Sequence, residues 1–169
     1  MQLYLLRHAK SSWDDEGLAD HDRPLAPRGR RDAARVARYL MDEGIQPALV
    51  LCSSAARARE TLEPVQAALG GTLDVRVEDG LYGASAAELL ARLRAVAPEV
   101  ASVLVVGHNP GMEDLAAGLA GDGDADATAR LRTKFPTGAL ATIRTPATPW
   151  AGLTWGCAYL ERFVAPRDI

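Results

Sequence analysis

The sequence begins MQLYLLRHAKSSW (residues 1–13), and the interpretation of the rest of the chain starts from this stretch. Its apolar run LYLL (residues 3–6) has the length and residue types of a buried β-strand. The run ends in a cation and an imidazole, Arg7 and His8, for which a buried strand has no structural use. In a regular strand these two side chains point to opposite faces, so both can serve one site only if the backbone leaves the pleat near His8. Such a departure is typical of the carboxyl end of a strand in an α/β sheet, where these sheets bind their ligands.

The composition limits the number of domains, the kinds of partner and the cellular location to be expected. A length of 169 residues favours a single domain, residues 1–169, with a sizeable core. The net charge of −3 predicts neither a nucleic acid nor a membrane surface as partner. We find no apolar run near the ~18 residues of a membrane span and no secretory signal pattern at the N-terminus. Two cysteines, Cys52 and Cys157, lack the spacing of a metal site or a disulfide framework, and we therefore expect a cytoplasmic protein.

Apolar runs alternate with amphipathic segments along the chain, which predicts an α/β fold. The expected architecture has three layers, α/β/α, with a mostly parallel central sheet covered by helices on both faces. Strands are predicted at residues 2–7, 48–52, 73–77, 102–107, 138–145 and 153–164, the last two as an antiparallel pair at one edge of the sheet. Helices are predicted at residues 28–43, from a cap at Ser53 or Ser54 to 69, from a cap at Ser85 to 97, and from 111 to 119. Loops are predicted at residues 14–27, with His21 on the surface, and at 121–137, with at most a short helix.

The first predicted helix carries a row of arginines opposite its apolar stripe. The row consists of Arg28, Arg31, Arg35 and Arg38. One interpretation is an ordinary solvated face, and the other is a docking face for an acidic partner.

Three polar residues follow three different predicted strands. His8 follows the first strand, Arg57 lies in the first turn of the helix after the second, and His108 follows the strand at 102–107. Because the carboxyl ends of parallel strands lie at one edge of the sheet, these residues can converge there together with Arg7. Each alone has a structural explanation, as a turn residue or a surface residue, but their joint placement favours a site.

Two arginines and two histidines are suited to a dianionic phosphoryl group. Guanidinium matches phosphate oxygens and remains charged, and the helix N-terminus near Ser53 adds backbone N–H donors. The two positive charges lower the pKa of a nearby imidazole, which leaves a lone pair able to attack phosphorus. Since arginine supplies the charge that magnesium supplies elsewhere, no metal or other cofactor is expected.

The motifs resemble those of a known family, the histidine phosphatase superfamily, with its phosphoglycerate-mutase-like fold. Residues 7–9, RHA, resemble its Arg-His-Gly signature, and residues 24–29, PLAPRG, resemble its Leu-Thr-x-x-Gly turn. Residues 53–61, SSAARARET, resemble the segment of its second arginine, and residues 107–109, GHN, that of its second histidine. The resemblance implies that His8 is the nucleophile and that Arg7, Arg57 and His108 bind the phosphoryl group. It also implies that Ser11 lines the pocket.

The general acid is less well defined by the resemblance. Larger members of the family carry a glutamate three residues before an aromatic-Gly or Leu-Gly pair, and Asp79 has that offset here, with Glu78 beside it. Asp79, Glu78 or neither can fill this role, and a solvated loop acid is the alternative for Asp79. Ala9 and Lys10 also depart from the family's usual residues.

The short chain and its Arg-His-Ala-Lys-Ser start are most similar to the small bacterial phosphohistidine phosphatases of the SixA type. That resemblance implies a metal-independent phosphatase with a phosphorylated protein, such as a phosphotransfer domain, as substrate. A phosphatase of small phosphate esters, a mutase and a non-catalytic phosphate-binding module are the alternatives.

Overall fold

The structure is a computed structural model that describes residues 1–147 and 149–169, and strands alternate with helices through most of the chain. The strands are β1 (Gln2–Arg7), β2 (Leu49–Ser53), β3 (Val75–Glu78), β4 (Ser102–Gly107), β5 (Ala120–Gly123), β6 (Leu140–Arg144) and β7 (Ala158–Val164). The α-helices are α1 (Pro27–Asp42), α2 (Ala56–Leu69), α3 (Ala86–Arg94), α4 (Gly111–Leu119) and α5 (Ala125–Thr133).

The strands form one seven-stranded sheet in the order β3-β2-β4-β1-β6-β7-β5. Only β6 runs antiparallel to its neighbours, β1 and β7, while every other pairing is parallel. The central strands β1, β2 and β4 are almost entirely apolar because both of their faces are covered. The prediction of a mostly parallel sheet is therefore confirmed.

Alternate residues of the central strands build two separate layers of core. Leu3 and Leu5 pack in the layer that contains the apolar side chains of α3, α4 and α5. Tyr4 and Leu6 pack in the layer that contains those of α1 and α2. This period of two confirms the predicted three-layer architecture. None of the helices in the described part of the chain is long and apolar enough to cross a membrane.

The sheet has an edge strand that the sequence prediction missed. Residues 121–137 were predicted to be a loop with at most a short helix; the short helix exists as α5, but the segment also contains the end of β5. The sequence of β5, AGDG, has no strand-forming residues, and its extended form comes from parallel pairing with β7. The predicted antiparallel pair of β6 and β7 exists, but its place at the edge was wrong, since β5 lies outside it.

The two predicted helix caps had different outcomes. Ser85 caps α3 in a capping box with Glu88, as expected, although α3 ends earlier than predicted. The cap of α2 was predicted wrongly, because its N-cap residue is Ala55 and no side chain caps it. The hydroxyl of Ser53 instead forms a hydrogen bond with the ring of His108, which follows the neighbouring strand β4, and there it contributes to the candidate site.

Candidate active site

The two histidines converge because β1 and β4 are neighbours in register. Arg7 pairs with Gly107 at the ends of these strands, and the His8 N–H donates to the Gly107 carbonyl oxygen at 2.9 Å. His8 and His108 directly follow these two strands, and their rings are buried with the centroids 5.1 Å apart. Residues 100 positions apart in the chain thus share one edge of the sheet, as the sequence predicts.

The tautomer of His8 is set by a backbone group. Its Nδ1 lies 2.7 Å from the carbonyl oxygen of Ala9. A carbonyl oxygen only accepts hydrogen bonds, so Nδ1 carries the proton and donates it. In the neutral ring Nε2 then holds a free lone pair, as a nucleophile requires.

Burial keeps the His8 ring neutral. Removal from water is the main cause that lowers its pKa to about 3, and the charges of His108, Arg57 and Arg7 lower it further. The hydrogen bond to Ala9 opposes this effect. At neutral pH the ring is therefore unprotonated at Nε2.

His108 is held by Ser53, the last residue of β2. Its Nε2 lies 2.7 Å from the Ser53 hydroxyl oxygen, which also accepts from the Ala55 N–H at 3.3 Å. The other ring nitrogen, Nδ1, is buried and has no hydrogen-bond partner among the described residues. Burial, together with Arg57, lowers the pKa of His108 to about 4. A neutral ring whose Nε2 accepts from Ser53 has a proton on Nδ1 to offer to an oxyanion.

Arg7 is fixed by the segment that precedes β6. Its Nη1 donates to the carbonyl oxygen of Phe135 at 2.8 Å, an atom that also accepts from Asn109 at 3.2 Å. The backbone N–H of Gly138 donates to the carbonyl oxygens of both Arg7 and His8, at 3.1 and 3.0 Å. The guanidinium Nε of Arg7 is buried and has no partner among the described residues.

Arg57 is held by Asp20, a residue that sequence reasoning did not single out. Its Nη1 donates to the Asp20 carbonyl oxygen at 2.7 Å, and its Nη2 donates to the Asp20 carboxylate at 3.0 Å. The Tyr82 hydroxyl donates to the same carboxylate oxygen. The hydrogen bond from Tyr82, with those from Arg57 and Arg23, holds the pKa of Asp20 well below its usual range. The Arg57 Nε, like that of Arg7, is buried without a partner in the described chain.

Asp20 is in turn fixed by Arg23. The Arg23 Nε donates to the other Asp20 oxygen at 3.1 Å, and its guanidinium lies 3.4 Å from the centroid of the Trp13 ring. Asp20 is one of five acids in residues 14–27, and no periodicity or spacing distinguishes it from the others. Only the fold of this segment, which forms a short 3-10 helix at Asp20–Asp22, brings it to Arg57.

His21 was predicted to lie on the surface, and it is partly exposed there, but its side chain also has partners near the site. Its Nε2 lies 2.9 Å from the Ser54 hydroxyl oxygen, and its ring stands edge-on to Tyr82 with centroids 5.0 Å apart. Tyr82 is also edge-on to His108, at 5.5 Å. His21 and Tyr82 thus form part of the rim around the two buried histidines.

The remaining predicted site residues lie in different surroundings. Ser11 is buried and pairs with Leu25 in an isolated bridge, and its hydroxyl makes no hydrogen bond to the described residues. Asp79 begins a short 3-10 helix after β3, is exposed, and forms no ion pair within the described part of the chain. Glu78 is engaged by Arg92, whose Nη2 donates to it at 2.7 Å. The structure therefore brings Arg7, His8, Arg57 and His108 together, and it leaves Asp79 in solvent.

The buried nitrogens without partners indicate what the site can bind. Buried N–H groups normally have an acceptor, but the Nε of Arg7, the Nε of Arg57 and the Nδ1 of His108 have none among residues 1–147 and 149–169. A tetrahedral dianion such as a phosphoryl group supplies acceptor oxygens to match them. In the same residues no three His, Cys, Asp or Glu side chains are grouped to hold a metal ion.

Comparisons with known proteins identify the family of this chain. The family model of the histidine phosphatase superfamily (branch 1) matches residues 3–87. A protein of Mycobacterium tuberculosis (strain H37Rv) is 42% identical over 164 residues, which cover 96% of this chain and 100% of the relative. A structure assigned to SixA from Nakamurella multipartitia superposes with a TM-score of 0.81 at 36% identity, covering 98% of this chain and 95% of the other. A protein histidine phosphatase SixA complexed with tungstate superposes with a TM-score of 0.79 at 26% identity, covering 99% of each chain. This chain belongs to the histidine phosphatase superfamily.

Proposed function

We propose that the protein is a metal-independent phosphatase that works through a phosphohistidine intermediate on His8. The observation that carries the proposal is the Nδ1–H hydrogen bond from His8 to Ala9, which leaves Nε2 with a free lone pair beside two arginines. Membership in the histidine phosphatase superfamily supports the same activity.

The proposed reaction has two displacements at phosphorus. In the first, the His8 Nε2 lone pair forms an N–P bond while the bond from phosphorus to the leaving group breaks, and the leaving group takes that electron pair. In the second, water attacks phosphorus, the N–P bond breaks, and inorganic phosphate leaves with His8 restored. Arg7, Arg57 and His108 stabilise the charge on the phosphoryl oxygens in both steps, as buried, pre-oriented donors.

The proposed substrate is phosphohistidine on a protein. The likeness to the SixA structures, one of them a complex with the oxyanion tungstate, supports this class. The exposed position of Asp79 supports it as well, because an imidazole leaving group that carries its own proton asks little of an enzymic acid. The leaving group of a phosphate ester is an alkoxide or a phenoxide, which has a greater need of a proton from an acid such as Asp79.

The experiment compares two substrates in the presence of a chelator. One is a phosphotransfer domain that carries phosphohistidine, and the other is an aryl phosphate ester. The variants are His8→Ala, which removes the nucleophile, and Asp79→Asn, which removes the candidate acid with little change of shape.

We expect rapid phosphate release from the phosphotransfer domain, loss of at least about a thousandfold in His8→Ala, and a change below about threefold in Asp79→Asn. Rapid release from the ester alone, with a large loss in Asp79→Asn, would replace the proposed substrate with small esters. A lack of His8-dependent release from either substrate would leave a phosphate-binding module as the better explanation.

A further inference from the structure

A second concave surface lies beside the candidate active site. It is a cleft of about 520 Å³ between α1, the C-terminal end of α5 and the short 3-10 helix Pro166–Asp168. We call it the basic cleft because five cationic side chains line it: Arg28, Arg35, Arg130, Lys134 and Arg167. Its volume is within the range of sites that bind small molecules.

The cleft has an excess of positive charge in a chain whose net charge is −3. Two carboxylates also line it, and both are paired: Asp32 lies 3.6 Å from Arg28, and Asp168 lies 2.6 Å from Arg130. Arg35 and Lys134 form no ion pair with the described residues. The charge is therefore concentrated locally and in part uncompensated, which attracts an anionic partner.

Part of the lining of the cleft is apolar. Phe163, Ala165 and Pro166 are nearly inaccessible in the wall, while Arg35 and Lys134 are exposed at the rim. No exposed aromatic ring among the lining residues offers a stacking surface for a nucleic-acid base. Basic side chains around an apolar wall are suited to an acidic protein segment that also carries apolar groups.

The cleft and the phosphoryl site share one stretch of chain. Lys134, Pro136 and Thr137 line the cleft. Phe135, between them, holds Arg7 through its carbonyl oxygen, and Gly138 donates to the carbonyl oxygens of Arg7 and His8. The residues that would contact a segment bound in the cleft are therefore only a few positions along the chain from the groups that position Arg7 and His8.

We propose that the basic cleft binds an acidic segment of the phosphorylated protein substrate while its phosphohistidine reaches His8. The inference rests on the proposed function and specifies which protein substrates the site prefers. It also divides the arginine row of α1, because Arg28 and Arg35 line the cleft while Arg31 and Arg38 lie outside it. On this proposal Arg28 and Arg35 belong to a docking face for an acidic partner, while Arg31 and Arg38 form an ordinary solvated face.

The test uses three probes: N-phosphoryl imidazole and two short peptides, each with one phosphohistidine. The peptides differ only in a flank of glutamates or of glutamines. The cleft variant is Arg35→Glu/Lys134→Glu, and the matched control is Arg31→Glu/Arg38→Glu, which changes the net charge equally on exposed residues outside the cleft.

For the wild type we expect the glutamate peptide to have a kcat/KM about tenfold above that of the glutamine peptide, through a lower KM that rises with salt. The cleft variant should lose this advantage, and the control should retain it to within about threefold. All three proteins should hydrolyse N-phosphoryl imidazole alike. Equal use of both peptides by the wild type, equal losses in both variants, or competition by a DNA oligonucleotide as strong as that by the glutamate peptide would overturn the inference.

Failure of the underlying function is a separate result. If no probe gives His8-dependent release, the proposed function is wrong, and fluorescence binding of an unphosphorylated glutamate peptide still tests the cleft. Binding that is about tenfold weaker in the cleft variant than in the control would support the acidic-segment site, and equal binding would overturn it.

Discussion

The guanidinium of Arg57 is positioned by Asp20, which accepts hydrogen bonds from both terminal nitrogens through its carboxylate and its carbonyl oxygen. Both terminal nitrogens of Arg57 are engaged, and the buried Nε is the one without a partner in the described chain. A carboxylate beside a phosphoryl site repels the dianion, but it also removes the conformational freedom of the arginine. Because Arg23 and Tyr82 also donate hydrogen bonds to the Asp20 carboxylate, its charge is largely compensated. We therefore expect the ordering of Arg57 to outweigh the repulsion of the dianion.

We therefore expect Asp20→Ala to lower kcat/KM about tenfold, with most of the change in KM. Asp20→Asn, which keeps one acceptor oxygen, should recover part of the loss. Steady-state kinetics on the phosphotransfer domain measures both, with Asp22→Asn as control because Asp22 is exposed and touches only His21 among these groups. Tighter product phosphate inhibition in Asp20→Ala would show instead that the carboxylate competes with the substrate.

Helix α1 supports the segment that carries His8 through a close backbone approach. A Cβ at Gly29 would lie 2.0 Å from the carbonyl oxygen of Lys10, and that oxygen accepts from the Ala26 N–H at 2.8 Å. The start of α1 thus rests directly on the segment that follows His8. Backbone atoms cannot move aside as a flexible side chain can, so only glycine allows this contact.

Gly29→Ala should lower the free energy of unfolding by about 2 kcal/mol and lower kcat, because the helix must move away from Lys10. Urea unfolding and steady-state kinetics measure the two effects. Gly80→Ala is the control for stability, since a Cβ there meets no heavy atom within 4 Å. Unchanged stability in Gly29→Ala would mean that α1 is not packed against this segment as described.

At the scale of the whole molecule, the site should make stability depend on pH. The folded chain keeps His8 and His108 buried and neutral, with pKa values of about 3 and about 4. An unfolded chain exposes both rings, whose pKa then returns to about 6.5. Below that pH the unfolded state binds more protons than the folded state, so the free energy of unfolding falls as the pH falls.

Between pH 7 and pH 5 we expect a loss of about 2 kcal/mol for each of the two histidines. Urea unfolding at both pH values measures this loss in the wild type and in His8→Asn/His108→Asn. The double variant should show a pH dependence smaller by about 4 kcal/mol. His21→Asn is the control, because His21 is the most exposed of the three histidines. If this variant reduced the pH dependence of the unfolding free energy as much as the double variant does, burial of His8 and His108 would not be its cause.

From the sequence alone, the α/β/α layers and the convergence of Arg7, His8, Arg57 and His108 could be predicted. The periodicity of apolar residues indicates which face of a strand or helix is buried. It predicts six elements close to their observed bounds: β1, β2, β4, α1, α2 and α4. Because parallel strands place their carboxyl ends at one edge, the residues after β1, β2 and β4 were expected to meet there, and the His8 and His108 rings do so.

Contacts between segments that are distant in the chain could not be predicted, because they depend on which segments become neighbours in the fold. Asp20 on Arg57, His21 against Tyr82 and the pairing of AGDG with β7 join residues far apart in sequence, and no local period marks any of them. The basic cleft is of the same kind, since its cations come from α1, α5 and the C-terminal 3-10 helix. The physical reason is that polar contacts of this kind add little burial to either segment, so they leave no periodic pattern in the sequence.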